Sequence, residues 1–250
     1  MIIYIAKRGE NMTFICKNHL NNYLNNIEYL GQGSQGVCYL DRERNIVVKI
    51  FHDYFDNEEC GYSFDDIIKH NFVKNKTFIW ATDVIIVDGN IVGCEMPYIQ
   101  YKSLYETDPL RVNLNSFAKG ILSAESDIKL LTEKNIRIFD IMYNILYKSG
   151  KFKVIDTMEY GNVPTQYEAN RRGFDLEIMK FLVDNYFNYF VLQDTILSDM
   201  YLSHGVSGYE FLTAFRHKIS EYLGFEVTTL NQAKSLVRKI PTPKYERNIH

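Results

Sequence analysis

The chain has 250 residues, enough for one large domain or two smaller units that each bury a core. Hydrophobic residues make up 46% and charged residues 24%, the balance of a globular protein and not of a disordered or fibrous one. The formal charge of −3 gives no basic field to recruit nucleic acid, and no apolar run reaches the roughly 18 residues of a membrane span.

Cys16, Cys38, Cys60 and Cys94 form no C-x-x-C pair, so they read as reduced thiols of a cytoplasmic protein without a zinc site. The opening MIIYIAK is interrupted by Lys7 and Arg8 and lacks a small-residue cleavage site, which argues against a secretory leader. The Asn-rich stretch 18–26 is too short to predict an element.

The first informative stretch is GQGSQGVCYL, with Gly31, Gly33 and Gly36 in a G-x-G-x-x-G spacing and Ser34 between them. In a dinucleotide-binding fold such glycines open a helix. Here Val37–Leu40 continues as a strand, so the glycines are expected at the tip of two antiparallel strands, where backbone N–H groups can cover phosphates. A polar turn at 41–45 leads to a second strand, Ile46–Phe51, that carries Lys49. A lysine in so apolar a strand calls for an anionic partner, although a solvent-facing lysine on one side of a sheet would also fit.

Phe64, Ile67, Ile68 and Phe72 predict a helix. Thr77–Val87 and Ile91–Tyr98 predict a hairpin around Asp88-Gly89-Asn90. Beyond Pro97 the pattern becomes helical, over Leu114–Leu131, Leu176–Phe190 and Tyr209–Leu223. A strand-turn-strand at 144–155 interrupts it. A small, mainly β part followed by a mainly α part, joined near residues 97–103, is the expected architecture.

In this order the motifs resemble those of the protein kinase-like superfamily, over roughly residues 28 to 190. The resemblance implies an α+β, two-lobed protein kinase-like fold, with an N-lobe at 1–98 (a five-stranded sheet and one helix) and a helical C-lobe at 99–250. It implies ATP and Mg2+ as cofactors. Gly31, Gly33, Ser34 and Gly36 would cover the phosphates, and Lys49 would touch them. Met96 would be the gatekeeper, with the Pro97 carbonyl and Ile99 N–H at the adenine. Asn144 and Asp156 match metal ligands, and Asp175 resembles a buried aspartate that begins a central helix. An acid partner for Lys49 is expected at Glu58 or Glu59, or, preferably, at Asp65 or Asp66 on the helix.

Three departures limit the resemblance. Five residues before Asn144 stands Phe139, and the nearest carboxylate is Asp140, one residue too close. Either the loop is shortened and Asp140 still takes the acceptor's proton, or the base is gone. D-F-G reads Asp156-Thr157-Met158, and the stretch from Asp156 to Asp175 lacks an A-P-E. The shortened stretch argues against an ordinary protein kinase. The implied activity is phosphoryl transfer to an unknown hydroxyl acceptor, small molecule or protein. The alternative is a pseudokinase serving as a nucleotide-binding or protein-interaction module.

The remaining groups predict no site. The six histidines lack ligand spacing, Ser203–Gly208 is a loop without a nucleophile elbow, and Lys234, Arg238, Lys239 and Lys244 make a basic tail.

Overall fold

Runs of β-branched and aromatic residues between Asn, Asp and Gly turns build the strands of the amino-terminal part. The computed structural model describes residues 12–57, 61–203 and 205–237. Glu58, Glu59, Cys60, His204 and His250 lie outside the described residues, as do Lys7, Arg8, Arg238, Lys239 and Lys244. The described residues fall into two compact units, the first within Met1–Gln100 together with Val154–Tyr160, the second within Tyr101–Lys153 and Gly161–His250.

In the first unit the elements are β1 (Met12–Phe14), α1 (Lys17–Leu24), β2 (Glu28–Gln32), β3 (Gly36–Asp41), β4 (Ile46–Phe51), α2 (His52–Asn57), α3 (Phe64–Ile68), β5 (Asp83–Val87) and β6 (Asn90–Pro97). They form one mixed sheet of six strands in the order β1-β5-β6-β4-β3-β2, with β1 parallel to β5 and the other pairs antiparallel. The sheet therefore has one strand more than the five expected. Strand β1 precedes the Asn-rich stretch 18–26, and helix α1 comes mostly from that stretch, which predicts nothing by itself.

Side-chain alternation splits this sheet into two apolar faces. Val48, Ile50, Ile85 and Val92 pack with Leu20 and Leu24 of α1 and with Tyr54. The other face gathers Phe51, Val84 and Cys94 with Ile67 of α3 and Ala81. Each fully buried Leu, Ile or Val contributes about 1.5–3 kcal/mol. Arg44, in the β3–β4 turn, makes a bidentate pair with the buried Glu95 of β6 (Nη1–Oε1 3.0 Å, Nη2–Oε2 2.9 Å). Burial raises the Glu95 carboxyl above its ordinary range and Arg44 opposes that shift.

The second unit holds β7 (Lys102–Ser103), α4 (Leu114–Glu133), β8 (Ile136–Arg137), β9 (Ile145–Lys148), β10 (Lys151–Val154), β11 (Gly161–Asn162), α5 (Tyr167–Val183), α6 (Asn188–Gln193), α7 (Thr195–Ser203) and α8 (Gly208–Leu223). Short 3-10 turns at Leu104–Glu106, Pro109–Arg111 and Leu230–Leu236 complete it. Helices α4 and α8 lie where their apolar period predicts them, and α8 is opened by a Ser207–Glu210 capping box. Helix α5 starts nine residues before the expected Leu176, and the predicted stretch to Phe190 is broken between α5 and α6. Phe117, Phe152, Phe174 and Phe181 pack ring against ring at centroid distances of 5.2–5.4 Å in the core, two pairs edge-to-face and Phe117–Phe181 stacked. The molecule is thus α+β. Among the described residues no helix is long and apolar enough to cross a membrane.

Candidate functional site

The glycine stretch lies at the tip of the β2–β3 hairpin, as its spacing predicts. The turn closes through the Gly33 N–H, which donates to the Gly36 carbonyl at 2.9 Å. A Cβ on Gly36 would stand 2.2 Å from the Ile50 carbonyl oxygen, so only glycine lets β3 approach β4 there. Gly31 has φ +154°, which a side chain would resist. Gly33 and Ser34 are exposed. His52, the first residue of α2, holds the turn twice. Its N–H donates to the Gln35 carbonyl at 3.0 Å, and its Nε2 lies 2.8 Å from the Gly33 carbonyl. A carbonyl only accepts, so Nε2 carries the proton. Nothing in the histidine spacing singles out His52; only the folded hairpin does.

Lys49 is buried at 5% exposure, with Cys38 on β3 and Cys94 on β6 as its cross-strand neighbours on the same face. Burial pushes the Cys94 thiol up to about 12 and raises that of Cys38, so both are neutral neighbours. The Lys49 Nζ donates to Asp156 Oδ1 at 2.5 Å and to Gln35 Oε1 at 2.7 Å. Gln35 Nε2 in turn donates to Glu159 Oε1 at 2.5 Å.

The expected helical partner of Lys49 is thereby corrected. Helix α3 has five residues, and its Asp66 carboxylate is committed to the N–H and hydroxyl of Ser63 in a capping box. Asp65 is exposed, and neither aspartate pairs with Lys49. Asp156 takes that place because segment 154–160 is stitched into the first unit. The Val154 N–H donates to Thr77 O at 2.8 Å and the Ile79 N–H to Val154 O at 2.9 Å. The Thr157 hydroxyl donates to Ile79 O at 2.7 Å, and His70 Nε2 bonds the Tyr160 carbonyl at 2.8 Å. Asp156 itself has φ +59°, a conformation uncommon outside glycine and kept where the surroundings impose it. Met96, next to last in β6, is half-buried against the Cys94 cluster, Pro97 ends the strand paired with Ile46 and exposed, and Ile99 follows half-buried.

In the second unit, the loop from Ile138 to Asn144 holds two positive-φ residues, Asp140 (+40°) and Tyr143 (+64°). Tyr143 is 57% exposed, and a bulky residue in that conformation is an outlier. The Asn144 amide donates through Nδ2 to the Asp140 carbonyl at 2.8 Å, so the two predicted residues brace one another. Asp140 is exposed, and among the described residues no side chain holds its carboxylate.

Helix α5 supports this loop from beneath, through a residue the sequence reading passes over. Asn170, 2% exposed, accepts from the Ile138 N–H and donates to the Ile136 carbonyl and the Thr132 hydroxyl, each at 2.9 Å. One turn along, a Cβ on Gly173 would stand 2.4 Å from Ile141 Cγ2, so the helix is notched where the loop presses on it. Asp175 is corrected: it lies inside α5, not at its start, and it serves α8. It accepts from Arg171 Nη1 at 2.7 Å and from the Gly208 N–H at 2.8 Å. Burial raises its carboxyl to about 6. Glu125 on α4 is raised to about 7 by burial and then by the Asp175 charge, and its Oε1 is buried without a hydrogen bond.

Among the described residues no three His, Cys, Asp or Glu side chains cluster as a preformed metal cage. Neither a protein-family model nor a curated protein matches this chain.

Proposed function

We propose that the chain is a divergent kinase-like phosphotransferase that binds ATP with Mg2+ and delivers a phosphoryl group to a hydroxyl acceptor. The observation that carries the reading is the 2.5 Å pair between Lys49 and Asp156 beneath a glycine hairpin. A buried ammonium beside a partly exposed carboxylate, joined through Gln35 to a glycine-rich hairpin, suits a polyphosphate that arrives with a divalent cation.

In this reading Lys49 exchanges its neutral and carboxylate partners for phosphate oxygens, and the glycine hairpin lends backbone N–H groups. Asp156 would offer its carboxylate to the cation and Asn144 its amide oxygen, donors of the kind that Mg2+ takes along with water. The bound Mg2+ would offset charge on the phosphate oxygens. Asp140 accepts the acceptor's hydroxyl proton, by sequence order and by the Asn144 brace on its backbone. Met96, Pro97 and Ile99 would border the base.

A second reading, a nucleotide-binding or protein-interaction module without turnover, is favoured by one observation, the unbraced Asp140 carboxylate. Thermal shift with Mg·ADP on wild type, Lys49→Met and Asp156→Asn tests the nucleotide site: stabilisation in wild type and its loss in Lys49→Met are expected. No stabilisation of wild type at millimolar nucleotide would sink the reading. ATP turnover in wild type and Asp140→Asn then separates the two roles, since turnover indifferent to Asp140→Asn removes that residue from the chemistry.

A further inference from the structure

The sequence motif accounts for the glycines of the hairpin but leaves Gln35, the residue between Ser34 and Gly36, without a role. Its side chain is the most connected group of the turn. Oε1 accepts from the Lys49 ammonium at 2.7 Å, and Nε2 donates to Glu159 at 2.5 Å. One amide thus ties the tip of the hairpin to both the lysine and the segment that carries Asp156. Both bonds engage a charged partner and exceed ordinary amide pairs in strength. The backbone of the same residue is held from the other side, because its carbonyl accepts from the His52 N–H at 3.0 Å.

We propose that Gln35 is a displaceable latch, a positioning residue that holds the hairpin down on Lys49 and sets the affinity for a phosphate-bearing ligand. The inference rests on the nucleotide reading above. A lysine ammonium has three donors, and in the described structure two are given to Asp156 and Gln35. A phosphate oxygen seeking Lys49 meets Gln35 Oε1 at the place it needs. It carries charge where the amide oxygen carries none, so the exchange favours the ligand, but the Glu159 bond must break as well. The latched hairpin therefore taxes binding by the fraction of molecules in which it is open. Glu159 acts only through Gln35 in this scheme, as the far anchor of the latch.

Two measurements on the full chain test it. Hydrogen exchange of a peptide spanning residues 31–37, without nucleotide, reads the latch directly, and should accelerate in both Gln35→Ala and Glu159→Gln. Calorimetric titration with Mg·ADP reads its consequence. Gln35→Ala should bind about three- to thirtyfold tighter than wild type. Gln35→Glu gives up the Glu159 anchor, since its carboxylate has no proton to donate, yet should bind about tenfold weaker or worse, because that carboxylate pairs with Lys49 by charge and repels phosphate. A merely structural glutamine would weaken binding in both variants. Wild type binding with Gln35→Ala no tighter, or hairpin exchange unchanged in both variants, overturns the latch alone. Wild type and variants all blind to millimolar Mg·ADP overturn the nucleotide reading, and the latch with it.

Discussion

Asn170→Ala is the sharpest test of how the 138–144 loop is held. The side chain makes three hydrogen bonds of 2.9 Å, one to the Ile138 N–H at the start of the loop and one to the Ile136 carbonyl of β8, the strand that leads into it. At 2% exposure water cannot replace these partners without opening the α5 packing. A typical hydrogen bond contributes about 0.5–1.5 kcal/mol, and a buried donor or acceptor left unpaired costs about 1–3 kcal/mol. Asn170→Ala should therefore lose about 2–4 kcal/mol, read as a lower urea midpoint by far-ultraviolet circular dichroism. Asn170→Asp separates volume from chemistry. Its carboxylate can still accept from Ile138 but faces the Ile136 carbonyl with no proton to give, so its folded pKa lies above the unfolded value of about 3.9. The deficit should then be full near neutral pH and shrink as the pH falls through the raised folded value. An Asn170→Ala variant within about 0.5 kcal/mol of wild type, with unchanged hydrogen exchange over 136–144, would refute the support we assign to Asn170.

Three further outcomes follow from packing and charge. Gly36→Ala must push β3 off β4, because its Cβ would meet the Ile50 carbonyl at 2.2 Å, and should cost about 1–3 kcal/mol in thermal unfolding. Gly33→Ala, which meets open space, should stay within about 0.5 kcal/mol of wild type; equal effects of the two would remove the steric argument. Glu125 has a folded value raised from 4.5 to about 7, so the folded state prefers its protonated form and stability falls as pH rises through that window. Glu125→Gln should accordingly raise stability by about 1 kcal/mol at about pH 8, a figure discounted for its half exposure, and change little at about pH 5. Arg44→Ala leaves Glu95, with a side chain 6% exposed, without its bidentate partner and should cost about 3–5 kcal/mol. Adding Glu95→Gln should recover part of that loss in the same denaturation assay; no recovery would mean that Arg44 acts by packing alone.

The hairpins were legible because their turns are chemically explicit. Asp88 and Gly89, then Ser149 and Gly150, adopt the positive φ that two-residue loops need. Lys49 was legible too, since an apolar strand makes a lysine conspicuous. Its partner was not: Asp156 lies 107 positions away, and only the return of segment 154–160 brings it near. Helix α5 extends nine residues ahead of the apolar run that begins at Leu176, because Gly173 is an interior helical residue kept small for Ile141. Its Asn170 looked like an ordinary polar position. Helix α1 was invisible for a different reason. KNHLNNYL has poor intrinsic propensity, and Leu20 and Leu24 fix it by packing on the sheet.

The return of residues 154–160 also bears on how the chain can be divided. The first unit is discontinuous: its last seven residues are encoded more than fifty positions after the rest, and the polypeptide leaves it, comes back and leaves again. A fragment cut after residue 100 would lose three main-chain and hydroxyl bonds at Thr77 and Ile79, and would bury the Lys49 ammonium without its carboxylate. The amino-terminal sheet is therefore not an independent module, and the Lys49 charge is balanced only after the whole of the second unit's α4 and its β9–β10 hairpin have been made. A peptide supplying 154–160 in trans is what such a fragment would need to regain its native charge balance.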